Sequence, residues 1–384
     1  MDRQYDILIA GAGGIAQAAG LILAELSEVI PRIFILNRSL EKANKMAEWI
    51  KKGSSRSLQI ECFELPEKKI PVKLKKALQK ADILLDCLPG SLAPKMAQLA
   101  KDFQMHYANL TEYVSETEII KDLAADAETG FLLQTGLAPG YIDVLGNHLF
   151  QKFCKKFNVE KVDAIALKVG ALTKHAVAPH YYGFTWSPVG VATEYLKDAV
   201  VIRDFKETTL PSLSERARII INGKAYEEDL TSGGAADLPQ SLRDRVKALD
   251  YKTLRFPGHY AWVDEQLKII GDGGNSINAL QKKMESVIPH IEEDQIILYA
   301  SAEGNDDKGV RRKLEMSKRI LPQKIGKYWL RAIQTTTAAP LLQSALLLLE
   351  GSAKGVILQS EIDAMKFLNG HFIKPVYGDV KLEI

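Results

Sequence analysis

The chain has 384 residues, of which 46% are hydrophobic, so it is long enough to form two domains with separate cores. Its 50 Lys and Arg against 48 Asp and Glu give a formal net charge of +2, which offers no electrostatic argument for nucleic acid or a membrane surface as a partner. The three cysteines lack CxxC spacing, which argues against a disulfide framework or a thiolate zinc site and predicts a cytoplasmic location. We therefore expect a small-molecule partner.

Two further features argue against a targeting or membrane segment. The first four residues lead directly into a strand pattern, without the features of an export signal. The most apolar helix, predicted at 340–349, is interrupted by Gln343 and is too short to span a bilayer. We therefore expect no membrane segment.

The chain begins with a strand, a glycine turn and a helix. An apolar run at 7–10 leads into the sequence GAGGIA and then into an apolar helix, an order typical of a dinucleotide-binding crossover. Gly11 permits the tight turn, and Gly13 lets the backbone approach a pyrophosphate. Gly14 and Ile15 open the helix, whose N-terminal amides face the phosphates. The alternative is an ordinary turn between a strand and a helix.

Strands and helices alternate through the first 134 residues, which predicts a doubly wound parallel sheet. The predicted strands are 7–10, 32–36, 58–63, 81–87, 106–110 and 131–134. The predicted helices are 15–26, 39–51, 71–79, 92–101 and 115–127. The alternation breaks at the sequence TGLAPG. We therefore predict a dinucleotide-binding domain at 1–135.

The rest of the chain has a different pattern. Predicted strands at 161–170, 217–222, 224–228 and 295–303 indicate a second α/β domain with a mixed or antiparallel sheet, at 136–331. The segment 332–384 returns to helices, at 332–350 and 360–368. We expect these C-terminal helices to pack back on the first domain.

The residues after the second predicted strand decide between NAD and NADP. An NAD enzyme usually places an acid there for the ribose hydroxyls, whereas this chain has Asn37-Arg38-Ser39. Arg38 can pair with a 2'-phosphate, and Asn37 and Ser39 can donate hydrogen bonds. Alternatively, Asn37 and Ser39 only cap the next helix and Arg38 is solvated, while Glu41 still reaches a hydroxyl. We expect NADP as the preferred cofactor and NAD as the alternative.

Other candidates lie where later strands end, at the carboxyl edge where open parallel sheets bind ligands. The candidates there for contact with the cofactor are Cys87, Leu88, Pro89, Thr111, Gly136 and Leu137. Glu112 is the candidate for contact with substrate. The alternative for residues 87–90 is a plain turn forced by Pro89 and Gly90, with the Cys87 thiol as a small buried hydrophobic group.

Four segments, together with the glycine turn, resemble the saccharopine dehydrogenase-like oxidoreductases over nearly the whole chain. They are NLTEY at 109–113, GLAPG at 136–140, WSP at 186–188 and LRFPGH at 254–259. The group includes saccharopine reductase, lysine 6-dehydrogenase and carboxynorspermidine dehydrogenase, which pass a hydride between NAD(P) and the carbon of an amine or imine. The resemblance implies a Rossmann-type domain closed by C-terminal helices, an inserted α/β domain whose sheet often builds a dimer, and therefore a homodimer.

The resemblance leaves the branch of the family open. TLRFPGH at 253–259 is similar to lysine 6-dehydrogenases, whereas FTWSPVG at 184–190 is similar to the FSWSP segment of saccharopine reductases. The sequence Asn37-Arg38 departs from the acid expected in an NAD-linked lysine dehydrogenase. The leading hypothesis is an NADP-preferring oxidoreductase acting on the C–N bond of an amino acid or its adduct. NAD-dependent lysine 6-dehydrogenase, a dinucleotide sensor without catalysis and a structural dimer are the alternatives.

Chemistry on an amino-acid amine or imine requires a carboxylate anchor and a group that exchanges a proton with nitrogen. Arg255 is the candidate anchor, because a guanidinium matches a carboxylate in two-pronged geometry. His259 is the candidate for proton exchange, because histidine titrates near neutral pH. Trp186 and Ser187 are candidates for a wall and a hydrogen-bond donor at the substrate. The alternatives are a structural arginine, a capping histidine and a helix entry packed on the core.

One more polar segment stands out upstream of these residues. His175, His180, Tyr181 and Tyr182 lie close together in the sequence but lack the spacing of metal ligands, so no metal site is expected. We predict a surface loop there.

Overall fold

The computed structural model of the chain describes residues 3–174, 176–271 and 276–380. Contacts divide the chain into two compact units. The first unit comprises Met1–Tyr141, Gln323–Leu330 and Gln334–Asp379. The second unit comprises Ile142–Pro322, Arg331–Ile333 and Val380–Ile384. The boundary predicted after residue 135 lies close to Tyr141, and most of the predicted C-terminal segment is grouped with the first unit.

The N-terminal part of the chain alternates strands and helices. Its elements are β1 (Asp6–Ala10), α1 (Gly14–Leu26), β2 (Arg32–Asn37), α2 (Leu40–Gly53), β3 (Ile60–Glu64), α3 (Val72–Leu78), β4 (Ile83–Asp86), α4 (Ala93–Asp102), β5 (His106–Asn109), α5 (Val114–Ala124) and β6 (Gly130–Leu132). β1 and β4 are buried along their whole length, which explains the apolar runs ILIA and ILL within them.

The middle part mixes longer strands with helices. Its elements are α6 (Tyr141–Phe157), β7 (Val162–Thr173), α7 (Pro188–Leu196), β8 (Ala199–Arg203), β9 (Lys206–Leu210), β10 (Ala217–Ile221), β11 (Lys224–Leu230), α8 (Leu238–Leu242), β12 (Val246–Arg255), α9 (His259–Ile270), α10 (Ser276–Val287), β13 (Asp294–Asn305) and β14 (Arg311–Ile320). The sequence pattern did not predict strands β8, β9, β12 and β14.

The C-terminal part is mainly helical. Its elements are β15 (Gln323–Ile325), β16 (Tyr328–Leu330), α11 (Ala332–Glu350), β17 (Gly355–Ile357), α12 (Ala364–Leu368) and α13 (Lys374–Tyr377). The helix predicted at 360–368 begins only at Ala364, because the Asp363 carboxylate accepts hydrogen bonds from the backbone N–H groups of Met365 and Lys366 and so caps the helix there.

The first unit contains a seven-stranded parallel sheet in the order β17-β6-β5-β4-β1-β2-β3. The strand order reverses between β1 and β4, which pair directly with each other. A crevice at the carboxyl end of such a switch point is where open α/β sheets bind ligands. The predicted doubly wound sheet is confirmed.

The second unit contains an eight-stranded mixed sheet. Its main order is β10-β11-β12-β7-β13-β14, and the β8–β9 hairpin pairs with β12. β12 and β7 run parallel, whereas the other pairs are antiparallel. α6 packs on one face, where Gly146 lies against Leu167 of β7. The predicted mixed sheet is confirmed.

The long helix α11 corrects the argument made from its sequence about membrane spanning. It is 19 residues long and apolar enough to cross a bilayer by length and composition, so the expectation that this helix is too short was wrong. The helix lies inside the protein, with 83% of its most apolar window buried. Core helices of soluble proteins pass the same test, so this is weak evidence for a membrane span.

Candidate functional site

The glycine turn lies at the switch point of the parallel sheet. Gly11 has φ +114° and donates its N–H to Leu36 O at 2.8 Å, and a Cβ there would lie 2.9 Å from Cys87 O. Only glycine suits this close, left-handed position between β1 and β4. Gly13 precedes α1 as an N-cap without a side-chain cap, and no heavy atom lies within 4 Å of where its Cβ would be. This open space before the α1 amides, at Gly14 and Ile15, fits a pyrophosphate.

The residues after β2 have two different roles. Asn37 Nδ2 donates to Ser39 O at 3.1 Å, and Ser39 Oγ caps α2 by accepting from Lys42 N at 3.2 Å. Ser39 therefore caps the helix, as the alternative foresaw, whereas Asn37 braces the turn before it. Arg38 is exposed, and among the described residues its guanidinium has no hydrogen bond or ion pair. It is available to a phosphate.

A cavity of about 290 Å³ lies beside the end of β2. Its apolar lining includes Leu36, Leu65, Ile70, Met96 and Leu99. Such a lining suits the flat face of an aromatic ring.

A buried carboxyl group holds the turn after β4. Asp86 accepts hydrogen bonds from Leu88 N at 3.0 Å and from the Tyr107 hydroxyl at 2.8 Å. Burial raises the pKa of Asp86 to about 6. The backbone carbonyl of Cys87 lies close to Gly11. Burial raises the pKa of the Cys87 thiol, so this side chain stays protonated and unreactive. Cys87, Leu88 and Pro89 are therefore fixed at the predicted rim by Asp86, a residue that the motifs did not single out.

The rim continues at the end of β5. Thr111 is buried, accepts a hydrogen bond from Tyr113 N at 3.3 Å and lies against Gly90, and Glu112 beside it is half-buried. Asn109 links this rim to the next turn, because its Oδ1 accepts from Gln134 N at 2.8 Å.

The GLAPG segment forms a closed loop in the first unit. Gly136 N donates to Pro139 O at 2.9 Å, and Gly136 O accepts from Tyr141 N at 2.9 Å. Leu137 is buried within it, at 5% exposed. A Cβ on Gly140 would overlap Gly136, so the loop needs glycine at this left-handed position.

In the second unit, β12 ends in a buried arginine. Arg255 is 1% exposed; its Nε donates to the Tyr195 hydroxyl at 2.7 Å, and its Nη1 donates to Leu254 O at 3.1 Å. Its guanidinium lies 4.8 Å from the Tyr182 ring centroid, and Nη2 lies 4.0 Å from Glu194 Oε2. Arginine buried in this way keeps its charge and orients a planar donor edge.

His259 belongs to the same cluster. It begins α9 and is fully buried, with Nε2 at 3.0 Å from the Tyr195 hydroxyl and Nδ1 at 2.6 Å from His180 O. Burial, followed by the nearby charge of Arg255, lowers the pKa of His259 to about 3. The expectation that this ring titrates near neutral pH was therefore wrong, because the ring is dry and faces a guanidinium.

Trp186 and Ser187 open α7. The exposed Ser187 caps this helix, accepting from Gly190 N at 3.3 Å, and the half-buried Trp186 ring covers Gly190. Trp186 packs on the apolar cluster that contains Tyr182 and Tyr195. The arrangement matches the alternative of a helix entry packed on the core.

The structure adds Tyr195 and Glu194 to the residues singled out from the sequence, and it brings Tyr182 of the polar segment to the same cluster. Tyr195 and Glu194 follow WSP on α7, about 60 positions before Arg255. The available signal was the helix that WSP opens, whose buried face includes Tyr195.

The predicted surface loop at 175–182 is corrected in part. His180 and Tyr182 are buried, at 9% and 2% exposed, because they pack around His259. His175 lies outside the described residues. Among the residues that the structure describes, no group of His, Cys, Asp and Glu could hold a metal ion.

Two family models match the chain. Residues 7–132 match the saccharopine dehydrogenase NADP binding domain, and residues 136–377 match the saccharopine dehydrogenase C-terminal domain. The chain belongs to the saccharopine dehydrogenase family. The resemblance read from the motifs is thereby confirmed, and this member is an NAD(P)-binding oxidoreductase with a glycine turn that fits a dinucleotide.

Two solved structures share the fold of this family member. One is the apo, L-Glu-forming saccharopine dehydrogenase of Saccharomyces cerevisiae, with TM-score 0.70, 15% identity and coverage of 97% of both chains. The other is the homospermidine synthase of Legionella pneumophila in complex with NAD, with TM-score 0.68, 14% identity and coverage of 98% of this chain and 90% of that one. At these identities the likeness shows the fold alone.

Proposed function

We propose that the protein is an NADP-preferring oxidoreductase that acts on the C–N bond of an amino acid or amino-acid adduct, as a saccharopine reductase does. The nicotinamide cofactor, when bound, supplies the hydride exchanged with the amine or imine carbon. The observation that carries the proposal is the buried Arg255 guanidinium, fixed by Tyr195 in a family whose N-terminal domain binds the cofactor.

The proposed cofactor contacts follow from the first unit. The open space at Gly13 and the α1 amides would hold the pyrophosphate. The exposed Arg38 would pair with a 2'-phosphate, and the apolar cavity beside Leu36 would take the adenine ring. The rim at 87–89, Thr111 and the turn at 136–137 would line the remaining part of the cofactor.

The proposed substrate contacts follow from the second unit. Arg255 Nε donates a hydrogen bond to the Tyr195 hydroxyl, and its Nη1 donates one to Leu254 O. Its Nη2 lies 4.0 Å from Glu194 Oε2, which is longer than a hydrogen bond. That donor edge suits a substrate carboxylate, and the low dielectric around it strengthens the pairing. Trp186 and Glu112 remain proposed substrate contacts.

The test is a spectrophotometric panel that follows NADPH oxidation and NAD(P)⁺ reduction. The substrates are saccharopine, lysine and pairs of an amino acid with a carbonyl compound. Turnover of an amino-acid adduct with NADPH is expected. Turnover of lysine with NAD⁺ alone would instead identify a lysine 6-dehydrogenase, and NADPH binding without any turnover would identify a sensor.

Arg255 offers a sharper test of the substrate contact. Replacing Arg255 by Lys keeps a positive charge but loses the planar donor edge, so KM for the carboxylate substrate is expected to rise at least about tenfold. Replacing the exposed Arg218 on β10 by Lys is the control and leaves KM unchanged. An unaltered KM in both variants would remove Arg255 from the site.

We also propose a homodimer located in the cytoplasm. The dimer follows from the family resemblance, which implies that the sheet of the inserted α/β domain often builds one. Light scattering should give twice the mass of the chain, and a monomer mass would contradict the dimer. The three unpaired cysteines support the location.

A further inference from the structure

In the second unit, the hydrogen bonds that link Arg255, Tyr195 and His259 can run in only one direction. A guanidinium has only donors, so Arg255 Nε donates and the Tyr195 oxygen accepts at 2.7 Å. The single proton of the Tyr195 hydroxyl is then left for the other close neighbour of this oxygen, His259 Nε2 at 3.0 Å.

This direction decides the tautomer of His259. If Nε2 accepts from Tyr195, the ring proton is on Nδ1, which donates to His180 O at 2.6 Å. The opposite tautomer would set the Nδ1 lone pair against a carbonyl oxygen and leave the Tyr195 proton without that acceptor. Only the Nδ1–H tautomer satisfies all three contacts.

The charges around the ring agree with a neutral imidazole. The titratable groups that surround it are Arg255 on β12, Tyr195 and Glu194 on α7, Tyr260 on α9, His180 and Tyr182 before α7, and Arg216 before β10. Burial and then the charge of Arg255 lower the pKa of His259, and the His180 carbonyl raises it by less than either. The His180 ring and Arg216 lower the pKa slightly further.

We propose that Tyr195 and His259 are positioning residues, which hold the guanidinium of Arg255 through the chain Arg255–Tyr195–His259–His180 main chain. The inference rests on the proposed function for the carboxylate bound by Arg255. His259 does not exchange a proton with the substrate. Its neutral ring orients the Tyr195 hydroxyl, and Tyr195 together with the face of Tyr182 fixes the plane of the guanidinium.

The first test does not depend on catalysis. In protein labelled with ¹⁵N-histidine, the His259 signals are assigned by their loss in His259→Gln, and long-range ¹H–¹⁵N correlations report the tautomer. We expect a protonated Nδ1 and an unprotonated Nε2, unchanged from pH 8 to about 5. A proton on Nε2, or titration near neutral pH, would overturn the proposal even if the enzyme is active.

The second test separates positioning from proton transfer. Tyr195→Phe removes one oxygen, so KM for the carboxylate substrate is expected to rise about tenfold with a smaller change in kcat. His259→Gln retains an acceptor for Tyr195 and should be closer to wild type than His259→Leu. The pH profile of kcat keeps its shape in all three variants. Loss of a limb of that profile in His259→Gln, or an unchanged KM in Tyr195→Phe, would refute positioning.

The first test is independent of the proposed function, whereas the second requires turnover of the carboxylate substrate. If wild type turns over no substrate, the proposed function fails while the NMR measurement still decides the tautomer. His259→Leu removes a buried polar ring, so circular dichroism and melting temperature are measured for every variant. Tyr195→Phe preserves the packing volume and keeps the kinetic test decisive if His259→Leu does not fold.

Discussion

At the scale of single residues, Gly11 and Gly13 need to be glycine for different reasons. Gly11 is required by the fold, through its positive φ and its approach to Cys87 O, whereas Gly13 is extended and faces open space. We predict that Gly13→Ala weakens NADPH binding at least about tenfold, because the methyl group occupies the space for the pyrophosphate. The free energy of unfolding should fall by no more than about 1 kcal/mol.

The comparison variant for this prediction is Gly11→Ala, which should lose both binding and stability. Calorimetric titration with NADPH and denaturant unfolding measure the two effects. If Gly13→Ala binds NADPH as wild type does, the phosphate does not occupy the turn.

Arg38 decides the cofactor preference in a second prediction at this scale. The exposed guanidinium has no partner among the described residues. Its whole positive charge is therefore available to pair with a 2'-phosphate. We expect Arg38→Asp to weaken NADPH binding about a hundredfold and NADH binding much less. Lys42→Asp, one helical turn away and also exposed, is the charge-matched control. Equal losses for both dinucleotides would refute the 2'-phosphate contact.

At the scale of elements, α7 connects the cap at Ser187 with the cluster at Tyr195. Ser187→Ala removes the side-chain cap and should lower the free energy of unfolding by about 1 kcal/mol. Ser187→Asn restores the cap, so its stability and KM are expected to match wild type. Denaturant unfolding and kinetics distinguish a helix cap from a substrate contact. If Ser187→Asn keeps full stability but loses activity, Ser187 contacts the substrate.

The elements also show which parts of the fold a single sequence can predict. β1, β2 and β4 were predictable, because buried parallel strands read as apolar runs between helices. The less apolar β3 and β5 were predictable from the regular alternation of strands and helices. β17 was not, since three residues at 355–357 complete the sheet only by pairing with β6, more than 200 positions earlier. Only the last residues of β12 were recognised, as part of a family motif, and the strand itself was not, because its polar Lys252, Thr253 and Arg255 are buried by tertiary contacts.

The candidate site was predictable to a similar degree. The glycine turn and Arg255 carry local signals, whereas the side-chain partners of Arg255 come from α7 and from Tyr182, which lie 60 or more positions away. The properties of His259 also depend on this distant packing. A free histidine titrates near neutral pH, and only the buried environment next to Arg255 shows that this ring remains neutral.

At the scale of the whole molecule, the two units contain buried groups with opposite pH dependences. Asp86 in the first unit has a pKa of about 6 instead of 3.8, so its contribution to stability is full below pH 3.8 and is lost as the pH rises through 6. His259 in the second unit has a pKa of about 3 instead of 6.5, so its contribution is full above pH 6.5 and is lost as the pH falls through 3.

Between pH 4 and 6 the two contributions therefore change in opposite directions. Relative to wild type, Asp86→Asn should gain stability as the pH rises, on the order of 2 kcal/mol across the interval. His259→Gln should lose stability relative to wild type over the same interval. Only wild type has a buried imidazole that must stay neutral, and the cost of keeping it neutral falls as the pH rises. Urea unfolding at several pH values, followed with far-UV circular dichroism, measures both differences. A difference that stays constant with pH would show that the buried group replaced in that variant ionises as it does in water.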